Sequence, residues 1–322
     1  MEPIRIGVIG VGHLGRYHTI KYSTLPAVQL VGVCDKDSRK AAEVAGECQC
    51  KVFSEIDDLL NEVDAVSLAV PTDKHFQIAE KILAHRVHCL IEKPITQTCE
   101  EADRLIQAAE QNNLILHVGH IERFNPAMQS LHEFELNPRF IESHRLAQFN
   151  PRGTEVSVIL DLMIHDIDIV LHLTKQTVSS IDATGVSVVS DTVDIANARI
   201  HFENGTVANL TASRISQKTM RKMRLFQKDT YMSVDFSEKL TEVYRLNEKI
   251  NDRDINISEI GPAENKKPVY YHQPDIQKKD ALQEEIIAFT EAVRGKPSIG
   301  VTGQEGRQAL SVALQILNSM ES

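Results

Sequence analysis

The feature that most constrains this chain is its opening, Ile4-Arg-Ile-Gly-Val-Ile-Gly10-Val-Gly12-His-Leu-Gly15, an apolar strand running into G-x-G-x-x-G and then a helical pattern. A glycine-rich turn by itself is common, but between a strand and a helix each glycine has a task. Gly10 permits the tight turn, Gly12 lets a pyrophosphate approach the backbone, and Gly15 lets helix and strand pack closely. The helix start, with His13 and Leu14 beside the loop, offers backbone N–H groups and a positive dipole end to the phosphates. Asp35 follows 20 residues after Gly15, at the end of the second apolar run, where a carboxylate bonds ribose hydroxyls. Its charge repels a 2′-phosphate, so the expected dinucleotide is NAD, with NADP less favoured. Lys36 and Arg39 soften that preference.

The pattern continues as βαβ units. Near-continuous apolar runs at 4–10, 30–35, 51–53, 65–70, 88–92 and 115–119 alternate with helical stretches at 15–23, 38–45, 55–61, 73–85 and 99–111. Strands buried on both faces read this way, and six of them predict a doubly wound parallel sheet of the Rossmann type over residues 1–120. After Gly119 the grammar changes. A helix is expected at 125–134, a strand at 140–149 and a helix at 156–173. Runs at 194–202 and 206–214 flank Asn204-Gly205 and predict a hairpin. A further hairpin is expected at 223–226 and 231–236, loop with short strands at 249–277, and two closing helices at 279–293 and 305–320. Residues 121–322 therefore read as a second α/β domain.

Composition excludes several classes. A net charge of −10 argues against a nucleic-acid footprint, and no apolar run approaches the roughly 20 residues that span a bilayer. Met1-Glu2-Pro3 runs straight into a strand pattern without the basic and apolar regions of a secretory leader, so a cytoplasmic protein is expected. Cys34, Cys48, Cys50, Cys89 and Cys99 are odd in number and confined to the first third, unlike a disulfide framework. Cys48 and Cys50 lack a second pair or histidine to complete a zinc site, and no metal is expected.

Val70-Pro71-Thr72-Asp-Lys-His75 and Ile91-Glu92-Lys93-Pro94 bring a resemblance. Together with Gly119-His120-Ile-Glu-Arg123-Phe-Asn-Pro126, Asp161-Leu-Met-Ile-His165-Asp-Ile-Asp168 and Val301-Thr-Gly-Gln-Glu-Gly306, they resemble the Gfo/Idh/MocA oxidoreductases nearly end to end. The resemblance implies a Rossmann domain followed by an α+β domain on a large, mostly antiparallel sheet whose open face makes a homodimer or homotetramer contact. It places Lys93 beside the nicotinamide and the reacting carbinol, with Asp161 and His165 completing the catalytic set. Pro71, Thr72, His75, Glu92 and Lys93 fall on the cofactor side, and His120, Arg123 and Asp168 on the substrate side.

The residues support those roles on their own terms. Asp161 and His165 are i and i+4 on an expected helix, hence on one face. Oxidising a secondary alcohol needs a base for the hydroxyl proton, and a histidine titrates near working pH. Lys93 can donate a hydrogen bond to the oxygen that becomes a carbonyl. The bland alternatives are a core histidine at 165 and a first exposed residue after a strand at 93. The carboxylates around His165 lack a second histidine at ligand spacing, which leaves little for a metal.

For the substrate, Asn150-Pro-Arg152-Gly-Thr with the segment from Val156 to Asp168 resembles the family's nucleotide-sugar 3-dehydrogenases, which oxidise C3 of UDP-N-acetylglucosamine. Arg152 could then hold a diphosphate, or be a solvated loop charge. A free polyol dehydrogenase acting on an inositol or hexose is the alternative. A non-catalytic dinucleotide-binding regulator and a redox-neutral NAD-dependent hydrolase are further ones. Three departures from the family stand out: His85-Arg-Val-His-Cys lacks the usual glycine before E-K-P, Gln227-Lys-Asp stands where relatives carry hairpin glycines, and Lys36 follows the ribose acid.

Overall fold

The computed structural model describes residues 2–150 and 154–320, and the chain divides into two compact units. One comprises residues 1–121 with 280–311, the other 122–279 with 312–322.

In the first unit, strands β1 (Ile4–Ile9), β2 (Val28–Cys34), β3 (Lys51–Phe53), β4 (Ala65–Leu68), β5 (His88–Glu92) and β6 (Leu116–Gly119) form one sheet in the order β3-β2-β1-β4-β5-β6. Every pairing in it is parallel. Helices α1 (His13–Ser23), α2 (Ser38–Cys48), α3 (Ile56–Leu60), α4 (His75–Ala84) and α5 (Cys99–Gln111) provide the crossovers. Local chemistry starts them where the sequence suggests: Asp37 caps α2, and Thr98 with Glu101 closes a capping box on α5. The strand order reverses between β1 and β4, and ligands of such sheets sit beyond the carboxyl ends of the strands at that point.

A boundary at residue 120 sends everything after it to the second domain, and the structure corrects this for 280–311. Helix α8 (Ala281–Val293) buries Ile286 and Phe289 in the core cluster that also holds Ile6, Val8, Tyr22 and Leu90. Periodicity marks the apolar face of a helix but not the partner it covers.

The second unit is built on nine strands in the order β14-β15-β13-β12-β11-β7-β10-β9-β8. These are β7 (Phe140–Leu146), β8 (Val178–Val186), β9 (Ile195–Phe202), β10 (Val207–Ser213), β11 (Met220–Gln227), β12 (Thr230–Asp235), β13 (Leu240–Leu246), β14 (Ile255–Ile260) and β15 (Lys267–His272). Only β7 and β10 run parallel; the other pairings are antiparallel. The sequence reading missed β8 and β13, while β14 and β15 are the short strands expected within 249–277. β8 and β14 are edge strands, and β14 is exposed along its whole length, so little apolar alternation marks it.

The helix expected at 125–134 is broken into a 3-10 turn (Ile121–Phe124), one α turn, α6 (Pro126–Gln129), and another 3-10 turn (Ser130–Glu133). Pro126 disfavours helical backbone at Asn125, which instead takes an extended ψ of 129° and caps Ala127. The helix expected at 156–173 begins as a π-helical turn (Ile159–Met163) before continuing as α7 (Ile164–Thr174).

Candidate active site

The glycine loop has the geometry of a phosphate cradle. Gly10 takes φ +83°, and a Cβ there would lie 2.5 Å from the Ala69 carbonyl oxygen. At Gly15 a Cβ would lie 1.8 Å from the Gly10 oxygen, so helix and loop touch only because both are glycine. Gly12 differs: a Cβ there would meet nothing within 4 Å. Its missing side chain leaves open space beside the backbone, as a pyrophosphate requires. No side chain caps α1 and no acid occupies its first turn, so its N-terminal amides and dipole stay available to an anion. His13 and Leu14 are exposed on this first turn. Asp35 is half-buried; its Oδ2 accepts from the Val11 N–H at 2.6 Å and its Oδ1 from the Asp37 N–H at 2.8 Å. These residues fit NAD.

Lys93 follows the end of β5, half-buried, with a cis peptide to Pro94. The adjoining Glu92 carboxylate accepts from the Lys93 N–H at 3.3 Å and meets His18 Nε2 at 3.0 Å. Burial pushes the Glu92 carboxyl up, but the His18 hydrogen bond and the charges of His18 and Lys93 outweigh it and hold the group below its ordinary value. Pro71 is exposed and Thr72 half-buried at the 3-10 turn before α4.

His75, expected on the cofactor side, lies in the first turn of α4. It is buried, and its Nδ1 and Nε2 lie 2.8 Å and 2.9 Å from the carbonyls of Pro94 and Val70. Burial lowers its pKa. With both ring nitrogens turned to backbone, His75 clamps the segment after Lys93 to the end of β4. His120, expected to line the sugar pocket, is wholly buried just after β6.

In the second unit, Asp161 lies in the π-helical turn and His165 in the first turn of α7, both half-buried, while Asp166 and Asp168 are buried. π-turns recur at functional sites because the extra residue re-aims the side chains around it. A knot around Asp194 fixes the chain entering this turn. Arg214 donates to Asp194, Thr192 and the Val156 carbonyl, and the Thr192 hydroxyl donates to the Thr154 carbonyl at 2.7 Å. Three consecutive N–H groups, from Val188 to Ser190, donate to the same Asp194 oxygen.

Two residues expected on the substrate side face each other in the structure. Arg123 and Asp168 form a buried bidentate pair at 2.7 Å and 2.8 Å, and a third guanidinium nitrogen of Arg123 meets His172 Nδ1 at 2.5 Å. At 6% and 1% exposure, this pair braces α7 from inside. Arg145, which sequence reasoning passed over, does the same with Asp166 and Glu122. Arg152, expected at the diphosphate, lies outside the described residues. Sequence reasoning also gave no role to His18, which meets Glu92; its position three residues after Gly15, on the helix leaving the phosphate loop, was the available signal. Among the described residues no group of three or more His, Cys, Asp or Glu could hold a metal ion, and no helix is long and apolar enough to cross a membrane.

Comparison with known proteins agrees with this geometry. Residues 4–120 match the model of the oxidoreductase family with an NAD-binding Rossmann fold, and residues 131–231 that of the GFO/IDH/MocA C-terminal domain. The chain is 43% identical, over 100% of its length and 99% of the relative's, to the UDP-N-acetylglucosamine 3-dehydrogenase of Acidithiobacillus ferrooxidans. A solved structure of that enzyme superposes with a TM-score of 0.89 at 42% identity, covering 100% of this chain and 99% of the other. The NAD(H)- and scyllo-inositol-bound scyllo-inositol dehydrogenase of Lactobacillus casei shares the fold, with a TM-score of 0.79 at 20% identity over 99% and 97% of the two chains. A full-length relative at this identity, with both domain models in order, establishes the family: the chain belongs to the Gfo/Idh/MocA oxidoreductases, enzymes with an NAD-binding Rossmann domain.

Proposed function

We propose that this protein oxidises the C3 hydroxyl of UDP-N-acetylglucosamine to a ketone with NAD. The observation that carries the reading is the 43% identity, over the full length of the chain, with an enzyme of that activity. The inositol dehydrogenases match at lower identity, 28% for the NAD-dependent scyllo-inositol 2-dehydrogenase of Bacillus subtilis over 67% of this chain. NAD supplies the hydride acceptor. Gly12 and the start of α1 hold its pyrophosphate, and Asp35 takes the ribose and disfavours a 2′-phosphate.

The chemistry on the sugar falls to Lys93, Asp161 and His165. His165 removes the hydroxyl proton as the hydride leaves, Asp161 orients the imidazole or binds a neighbouring hydroxyl, and Lys93 donates to the oxygen that becomes the carbonyl. His120 and Arg152 complete the substrate side, Arg152 at the diphosphate. A nucleotide-sugar dehydrogenase using NAD belongs in the cytoplasm. A second copy of the chain covers the outer face of the nine-stranded sheet. Phe140, Phe226, Tyr231, Tyr244 and Tyr271 form a half-buried ladder there, with neighbouring ring centroids 4.9 to 5.6 Å apart.

The test is NADH absorbance with NAD, a carbonyl trap and a panel of UDP-sugars and free polyols. Turnover confined to UDP-N-acetylglucosamine supports the reading. Turnover on an unconjugated inositol or hexose replaces it with polyol oxidation. Silence across the panel, with NAD bound, moves the protein to the non-catalytic regulators or redox-neutral hydrolases. A monomer at micromolar concentration by light scattering removes the second copy.

A further inference from the structure

Behind Lys93 a chain of polar groups runs into the interior of the Rossmann unit. The Tyr22 hydroxyl lies 2.8 Å from Ser67 Oγ, Ser67 Oγ 3.1 Å from His18 Nδ1, and His18 Nε2 3.0 Å from Glu92 Oε1. The other Glu92 oxygen accepts from the Lys93 N–H. Tyr22, Ser67 and His18 are each no more than 1% exposed. Four elements contribute: α1 gives Tyr22 and His18, β4 gives Ser67, β5 gives Glu92, and β6 gives Gly119. A Cβ at Gly119 would stand 3.1 Å from the Glu92 carboxyl carbon, so the absent side chain makes room for the carboxylate.

One hydrogen-bond order runs through the whole chain of groups. In it the buried Tyr22 hydroxyl donates to Ser67 Oγ. Ser67 then donates to His18 Nδ1, which leaves the proton on Nε2 to be donated to Glu92. In this order Tyr22, Ser67, His18 and Glu92 each have a hydrogen-bond partner. Nothing in cofactor binding or in the roles of Asp161 and His165 calls for this chain, and a satisfied buried polar network holds its members rigidly in place.

We infer that His18, backed by Ser67 and Tyr22, is a positioning residue that keeps Glu92 ionised and in place and through it fixes Lys93 for hydride transfer. His18 itself touches neither substrate nor cofactor in this role. The charged and titratable groups acting on Glu92 are His18 on α1, His75 on α4 and the adjacent Lys93, and Gly119 on β6 packs against its carboxylate. Without its histidine partner the buried carboxyl takes up a proton at higher pH, because desolvation then acts with less opposition.

The inference rests on Lys93 serving the reaction, so wild-type turnover is measured first on UDP-N-acetylglucosamine and on free polyols; whichever is oxidised becomes the assay substrate. If neither is oxidised, the functional reading fails and this inference falls with it. His18→Leu, His18→Gln and Ser67→Ala are then compared for kcat, KM for NAD and the pH profile of kcat, with thermal melts as controls. Glutamine reproduces the donor toward Glu92 and the acceptor toward Ser67. The expected result is a kcat loss of about 100-fold in His18→Leu with KM for NAD within threefold, and an acid limb moved to higher pH by a unit or more. His18→Gln recovers to within about tenfold of wild type, and Ser67→Ala, which keeps the Glu92 bond, loses less than tenfold. Equal kcat losses in the leucine and glutamine variants, or an acid limb that stays in place in all three, overturn the inference. If His18→Leu does not fold, His18→Gln decides it: the amide keeps the hydrogen bond but removes the histidine's charge from beside Glu92, so the acid limb should still move upward, and an unmoved limb overturns the inference.

Discussion

The Val11 N–H donates a 2.6 Å hydrogen bond to Asp35 Oδ2, so the carboxylate assigned to the ribose also ties the glycine loop to the end of β2. Removing it loosens the loop and deletes the charge that opposes a 2′-phosphate. Asp35→Ala should raise KM for NAD by about 10- to 100-fold, the range of a hydrogen bond to a charged acceptor of about 1.5–3 kcal/mol. NADP should suffer less, so the ratio of kcat/KM values shifts toward NADP. Steady-state kinetics with both cofactors checks this; an equal loss for both would leave Asp35 a purely structural tie.

Lys93→Ala and His165→Ala should each lower kcat by about 10²- to 10⁴-fold, the usual weight of a proton-transfer or electrophilic group. KM for NAD should change far less, because Gly12, the start of α1 and Asp35 carry cofactor binding. Near-wild-type turnover in either variant rejects that residue's role.

The Arg123–Asp168 pair gives a different signature. Arg123→Ala leaves a buried carboxylate without its bidentate partner, and breaking such a pair costs about 3–5 kcal/mol. Urea unfolding should therefore show a large loss of stability. A raised substrate KM with unchanged stability would instead return Arg123 to the substrate side.

His117, buried on β6 between Phe289 and Gly300, has its pKa pulled down by burial to about 4 from an ordinary value of 6.5. The folded protein keeps the ring neutral while the unfolded chain protonates it below pH 6.5. Its contribution is therefore complete above pH 6.5 and lost as pH falls toward 4, reaching about 3 kcal/mol. His117→Gln, which cannot titrate, should lose less stability than wild type between pH 7 and pH 4.5, read from urea midpoints. Parallel losses would show that His117 does not carry the acid sensitivity.

Both departures from the family's glycine pattern coincide with left-handed backbone. Arg86 takes φ +60° before β5, and Asp229 takes φ +56° in the turn between β11 and β12. A side chain costs about 1–2 kcal/mol in that region, partly offset by the greater unfolded freedom of glycine. Arg86→Gly and Asp229→Gly should each raise Tm by a degree or two. A fall in Tm for either would mean that its side chain contributes more than the strain costs.

Much of the Rossmann half could be read before any coordinates, because a strand buried on both faces writes itself as a continuous apolar run. All six of its strands overlap the runs picked out, and the glycine loop and Asp35 lie in adjoining segments where spacing carries meaning. The second sheet was less legible. β8 and β14 lie at its edges, where one or both faces meet solvent and polar residues such as Ser180, Asp182 and Glu259 are tolerated. Asp161 and His165 could be placed on one helical face by their spacing, but the π-turn that holds Asp161 has no such signature.

The sequence by itself determined the parallel dinucleotide fold and the cradle of Gly10, Gly12 and Gly15, since both are written in local periodicity or a short spacing, while the candidates Lys93, Asp161 and His165 came from the resemblance of short motifs to the family. Tertiary structure decided which charged and polar groups face each other. Arg123 meets Asp168 across 45 residues, His18 meets Glu92 across 74, and α8 returns to the core of the first unit. Burial makes such pairings necessary, because a charge removed from water must find a partner wherever the fold brings one, and nothing local in the chain names it.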